Sequence, residues 1–125
     1  MSINRVYITG NLTREPEQKS TASGTPVLRF GMAVNDRRKS AQTGEWEDYP
    51  NFVDVTLFGN RVPYFAERLT KGGKVAVDGR LRYSSWEKDG QKMSRLEVVA
   101  EDVELLQAPK AEPAQKTVFD DDIPF

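Results

Sequence analysis

The stretch NFVDVTLFGNRVPYFAERLTKGGKVAVDGR, Asn51 to Arg80, passes through two changes of hydrophobic period. In its first part Val53, Val55 and Leu57 fall on one face while Phe52, Asp54, Thr56 and Phe58 fall on the other, the two-residue period of a β-strand. Val62, Phe65, Ala66 and Leu69 then recur at helical spacing around Pro63, and Lys71-Gly72-Gly73 closes the run. A short helix is therefore expected over Val62–Gly73. Alternation resumes in KVAVDGRLRY, Lys74 to Tyr83, with Val75, Val77, Gly79 and Leu81 directed inward. A strand, one short helix and a strand, in that order, restrict the topology more than any other part of the chain.

Upstream, VYITGNL (Val6–Leu12) alternates as a strand, KSTASGTP reads as a loop, and Leu28, Phe30, Met32 and Val34 mark a second strand. Asn35–Asn51 is polar, contains Gly44 and Pro50, and is too long for a tight hairpin; a mobile excursion is expected. Downstream, Asp89-Gly90 sits at the tip of a hairpin within Ser84–Ser94, Arg95–Leu106 forms the last strand, and periodicity stops at Gln107. Three strands, a helix and two strands is the layout of the OB-fold, a five-stranded Greek-key barrel. An SH3-like barrel lacks the helix. The expected fold is thus mainly all-β, with one short helix between the third and fourth strands and a disordered acidic C-terminal tail.

Composition narrows the chemistry. The 125-residue chain is 38% hydrophobic and 30% charged, without cysteine or histidine. Those absences remove thiolate metal sites, the commonest general base and the usual nucleophile pairings, so an enzyme is the least favoured class and no cofactor or metal is expected. Asp120 to Asp122 form an acidic triplet, but a fraying terminus does not hold ligands in the fixed geometry metal catalysis requires. No apolar run nears the roughly 20 residues of a spanning helix, and Met1-Ser2-Ile3-Asn4-Arg5 lacks the pattern of a secretory signal; a cytoplasmic, nucleoid-associated location is expected. The net charge of −1 divides unevenly. Residues 108–125 carry Lys110 and Lys116 against Glu112 and Asp120 to Asp122, a net −2, whereas residues 1–107 carry 16 bases and 15 acids, a net +1. A polyanion-binding body must therefore sort its charges by face.

One outward aromatic is ordinary, because much of any protein surface is apolar. Phe52 has company: Phe58 on the same face, Trp86 in the hairpin, and Arg80 and Arg82 on the polar side of the strand leading to it. Aromatic rings interleaved with guanidiniums suit single-stranded nucleic acid, where stacking is worth about 1–3 kcal/mol per base. Arg37-Arg38-Lys39 is either a solvated charge run or a set of cations reaching the same groove. Arg5, Lys71 and Lys74 are candidate phosphate contacts, and Trp46 and Tyr49 either cap the core or stack a base.

NRVYITGNL (Asn4–Leu12), FVDVTLFGN (Phe52–Asn60), LTKGGKVAVDGRLRYSSW (Leu69–Trp86) and DDDIPF (Asp120–Phe125), in that order, resemble the bacterial single-stranded DNA-binding protein family over nearly the whole chain. The resemblance implies an OB-fold binding and oligomerisation domain over 1–106, a short disordered linker over 107–118 and an acidic protein-interaction tip over 119–125. It implies sequence-tolerant binding and protection of single-stranded DNA in replication, recombination and repair, by a homotetramer. Phe52, Phe58 and Trp86 become the stacking residues. Arg5, Lys71 and Arg82 become phosphate contacts, with Arg37, Arg38, Lys74 and Arg80 as further candidates. Asp120, Asp121, Asp122, Ile123, Pro124 and Phe125 become the tip that docks on replication, repair and recombination proteins. Arg38 stands where an aromatic is common, Phe52 where tryptophan is frequent, and Asp54, Ser84 and Ser85 where bases are common, which predicts a shallower salt dependence. The linker is shorter than the family's usual one, and its prolines extend it. The competing readings are an OB-fold RNA or tRNA binder and a protein-only adaptor.

Overall fold

Five strands close into a ring because each lends one apolar face to a common interior. The structure, a computed structural model, describes residues 2–108. Its elements are β1 (Val6–Leu12), β2 (Glu17–Ser20), β3 (Pro26–Lys39), β4 (Trp46–Phe58), α1 (Val62–Arg68), β5 (Lys74–Lys88) and β6 (Gln91–Gln107). Around the ring β1 pairs with β5, β5 with β6, β6 in parallel with β4, β4 with β3, and β3 with β1 again. This is the OB-fold, and β2 is an extra strand on β3. The interior holds Leu12, Leu28, Phe30, Met32, Val55, Leu57, Val75, Val77 and Val98, to which α1 adds Val62 and Phe65. Side chains of this kind each contribute about 1.5–3 kcal/mol when fully buried.

Two glycines permit the tight closure. A Cβ on Gly10 would strike the Ala33 carbonyl where β1 meets β3, and one on Gly79 would strike the Val99 carbonyl. Gly79 adjoins a register shift in the β5–β6 pairing, at Asp78/Gly79. Past Leu81, which lies opposite the core residue Val98, β5 and β6 continue as a two-stranded arm. The arm ends at Asp89 (φ 52) and Gly90 (φ 79), with Lys88 opposite Gln91; two residues of positive φ form the favoured two-residue hairpin loop.

Four expectations are corrected. Asn35–Asn51 is a paired ribbon rather than an unpaired loop: β3 and β4 stay in register from Val27↔Phe58 to Lys39↔Trp46. Both faces of this ribbon are largely exposed beyond Asn35 and before Val53, so no apolar alternation announces it. The polar loop after β1 includes β2, all of whose residues are exposed. The helix ends at Arg68, yet Leu69, now extended at φ −87 and ψ 128, still fills the core at 1% exposure. Leu81 is 44% exposed, because it sits at the rim of the barrel, opposite Val98, where the arm begins. The tip residues Asp120 to Phe125 and most of the linker lie outside the described residues. Among the described residues no helix is long and apolar enough to cross a membrane.

Candidate nucleic-acid interface

The two-residue period places Arg80, Arg82, Ser84 and Trp86 on one face of β5. Arg82 lies opposite Glu97 on β6, and Ser84 lies opposite Arg95. Cross-strand partners share a face, so Arg95 and Glu97 belong to this outer surface. Thr56 of β4 joins them through its hydroxyl, which donates to Glu97 Oε1 at 2.5 Å. Phe58, two residues on, lies with its ring centroid 5.1 Å from the Arg82 guanidinium carbon. The Arg95 guanidinium is 5.5 Å from the Trp86 ring. Two of the three expected aromatics thus each carry an arginine over the ring, at distances where cation–π attraction operates.

Phe52 occupies a second part of the surface and is 74% exposed. By register it lies opposite Ala33, Ala33 opposite Asn11, and Asn11 opposite Lys74. Asn11 also donates through Nδ2 to the carbonyl of Gly72, next to Lys71. Lys71 and Lys74 therefore flank the Phe52 row, although Lys74 lies about 40 Å along β5 from Trp86 at strand rise. Between the two parts Arg14 reaches across β3 at Gly31, where a Cβ would collide with it, and approaches Asp54 to 3.7 Å.

Other expected cations are already engaged. Arg5 donates to Asp78 at 2.7 Å and to Glu101 at 3.0 Å, and Arg80 lies 3.9 Å from Glu101. Such exposed pairs are worth about 0–1 kcal/mol, so a phosphate displaces them at little cost but gains correspondingly little. Arg37 lies 3.8 Å from Asp48. Arg38 covers the Tyr49 ring at 4.1 Å, so Tyr49 supports a guanidinium rather than capping the core. Trp46, opposite Lys39 in the ribbon, is 59% exposed.

The centre of the surface was not legible as a site. Glu97 is 2% exposed; besides the Thr56 hydroxyl it accepts Arg82 Nη2 at 2.6 Å and Nε at 3.2 Å on Oε2. Burial pushes this carboxyl up, but the hydrogen bonds from Thr56 and Arg82 and the charges of Arg82 and Arg29 outweigh it and hold Glu97 below its ordinary 4.5. The unfolded chain therefore takes up this proton first as pH falls. The stabilisation is complete above the unfolded value and is lost as pH falls below about 4.5 through the depressed folded value. Urea midpoints measured at pH 7 and at pH 3.5 should fall further for the parent than for Glu97→Gln; equal falls would contradict this coupling.

Comparison with known proteins places this geometry. The model of the "Single-strand binding protein family" matches residues 3–106. The chain belongs to the single-strand binding protein family. It is 41% identical to a single-stranded DNA-binding protein of Aquifex aeolicus over 90% of this chain and 76% of that one. To the protein of the same name from Treponema pallidum it is 42% identical, over 83% of this chain and 58% of that one. A crystal structure of a deletion mutant of the Thermus aquaticus single-stranded DNA binding protein aligns with a TM-score of 0.73 at 33% identity. That alignment covers 84% of this chain and 51% of the other. The matched span of this single-strand binding family member contains every aromatic and cation described above.

Proposed function

We propose that the chain binds single-stranded DNA without sequence preference through the outer face of β3 to β6, covering strands exposed in replication, recombination and repair. One observation carries this reading: Phe58 and Trp86 lie under guanidiniums on a surface that also presents an exposed Phe52. Ring faces take unpaired bases, which a duplex keeps stacked inside, and guanidiniums take the phosphates between them. Lys71, Lys74, Arg38 and Arg82 line the path, whereas Arg5, Arg37 and Arg80 exchange a carboxylate for a phosphate. Asp54, engaged by Arg14, lowers the local positive charge and flattens the salt dependence.

The same reading includes a homotetramer, a cytoplasmic, nucleoid-associated setting, and recruitment of partner enzymes by Asp120 to Phe125. Exposed Tyr83 and Leu96, paired across β5 and β6, support self-association, since adjacent exposed apolar groups mark contact surfaces. Competition among equal-length oligothymidylate, oligouridylate and duplex DNA, with mass measured by light scattering, tests the proposal. The DNA single strand is expected to bind to a four-chain particle about 100-fold or more tighter than duplex. Preference for RNA would favour an RNA-binding OB-fold, and no nucleic-acid binding would favour a protein adaptor.

A further inference from the structure

A cleft of about 340 Å³ opens beside Trp86, lined by Arg29, Arg82, Ser84, Trp86, Arg95 and Glu97. Its size lies at the low end of ligand pockets, with room for one sugar-phosphate unit. Three guanidiniums reach it from three strands: Arg29 from β3, Arg82 from β5 and Arg95 from β6. Left alone they would repel and spread into solvent. The buried Glu97 carboxylate opposes that: Oε2 takes the Nε–Nη2 edge of Arg82, and the Thr56 hydroxyl holds Oε1.

Two donors remain. Arg82 spends one edge on Glu97, which leaves Nη1 and the second hydrogen of Nη2 without a partner among the described residues; a guanidinium has five N–H groups in a rigid fork. The Arg29 Nε is buried and meets no acceptor, an exception among buried polar atoms that calls for an explanation. An anion in the cleft supplies acceptors for the free edge of Arg82 and for the guanidinium of Arg29 that lines it. Three guanidiniums against one carboxylate also leave an excess positive charge there, and the Trp86 ring on the wall suits a base attached to that anion.

Resting on the single-strand reading above, we propose that this cleft seats one phosphodiester of the bound strand between Arg82 and Arg29, and that Glu97 is the positioning residue that aims Arg82 at it. The other charged groups bordering Glu97 are Asp54 on β4, Arg95 on β6, Arg14, and Glu17 and Lys19 on β2. Neither Arg29 nor Glu97 is marked by the sequence pattern: each occupies a polar position in an alternating strand.

Charge counting and positioning predict opposite signs for Glu97→Gln. Removal of an anion from a polyanion site should tighten binding and steepen its salt dependence. Loss of aim should instead weaken oligothymidylate binding by the full-length chain about tenfold and reduce the log K against log salt slope by about 0.7, one single-strand phosphate. Within the Glu97→Gln background Arg82→Lys should cost no more than about twofold, against about tenfold in the parent, because residues acting as one unit are not additive. Arg29→Lys keeps the charge, deletes the guanidinium fork and spares Glu97; about a fivefold loss is expected, and it stands as the test if Glu97→Gln fails to fold. Binding by Glu97→Gln equal to or tighter than the parent's at an unchanged urea midpoint overturns the proposal, as does unchanged binding by Arg29→Lys. Variants that lose a fluorescent Asp-rich peptide while keeping oligothymidylate assign the cleft to acidic peptides and overturn it as well. Failure of the parent to bind oligothymidylate overturns the single-strand reading itself.

Discussion

Replacing Phe52, Phe58 and Trp86 together by alanine is expected to reduce oligothymidylate affinity by more than about 100-fold, with the barrel still folded. Each stacked base is worth about 1–3 kcal/mol, so three lost platforms remove about 3 kcal/mol at the least, and 1.4 kcal/mol is about tenfold. The barrel should survive because none of the three rings belongs to its buried core. Phe52 is mostly exposed and Trp86 lies on the arm, outside the ring. Phe58 is half-buried at the end of β4 and should account for most of any loss of stability. Arg5→Ala, by contrast, removes a cation that two carboxylates already occupy, and its effect should stay within about tenfold. Fluorescence titration at two salt concentrations, with a urea curve for each variant, separates these outcomes. Undiminished binding by the triple variant would mean that the strand lies elsewhere.

Gly79→Ala should be strongly destabilising. The added methyl would meet the Val99 carbonyl and lie 3.0 Å from the Ala100 Cα, both backbone atoms of a paired strand that cannot swing aside. Overpacking typically costs about 1–3 kcal/mol and sometimes more; the upper end applies here because the clash is with backbone where β5 and β6 shift register. At a urea slope of about 1–3 kcal/mol per molar, the midpoint should fall by about 1 M or more. Gly24→Ala provides the contrast, since Gly24 has φ +90 but open space around it, and backbone strain alone should cost about 1 kcal/mol. Equal midpoints for the two variants would show that the β5–β6 join is softer than its geometry implies.

The barrel was readable because one face of each of its strands is dry. Val53, Val55 and Leu57 alternate with polar residues or ring faces, and Val62, Phe65 and Leu69 keep their helical spacing although the helix stops one residue before Leu69. Asp89-Gly90 announces its turn through positive φ. The β3–β4 ribbon left no such trace, since a two-stranded arm with both faces in water needs no apolar alternation. Its backbone is satisfied by the ladder itself, which single-chain periodicity does not report. Leu81 failed for the mirror reason: its period says inward, but it lies at the rim of the interior, where the arm begins. The stacking aromatics stood out because a large ring on a polar face is conspicuous. Glu97 did not, because an acid on the polar side of a strand looks solvated until Thr56, 41 residues away, and Arg82 are seen to enclose it. Arg5 likewise shows nothing of its engagement with Asp78 and Glu101, 73 and 96 residues distant.

The chain has two tryptophans, Trp46 and Trp86, so Trp46→Phe turns its fluorescence into a report from the hairpin arm alone. Saturating oligothymidylate should quench Trp86 emission by about half or more, as bases stack on the indole, while duplex of equal length leaves it unchanged. Trp86 emission untouched by a saturating single strand, or quenched equally by duplex, would contradict the account.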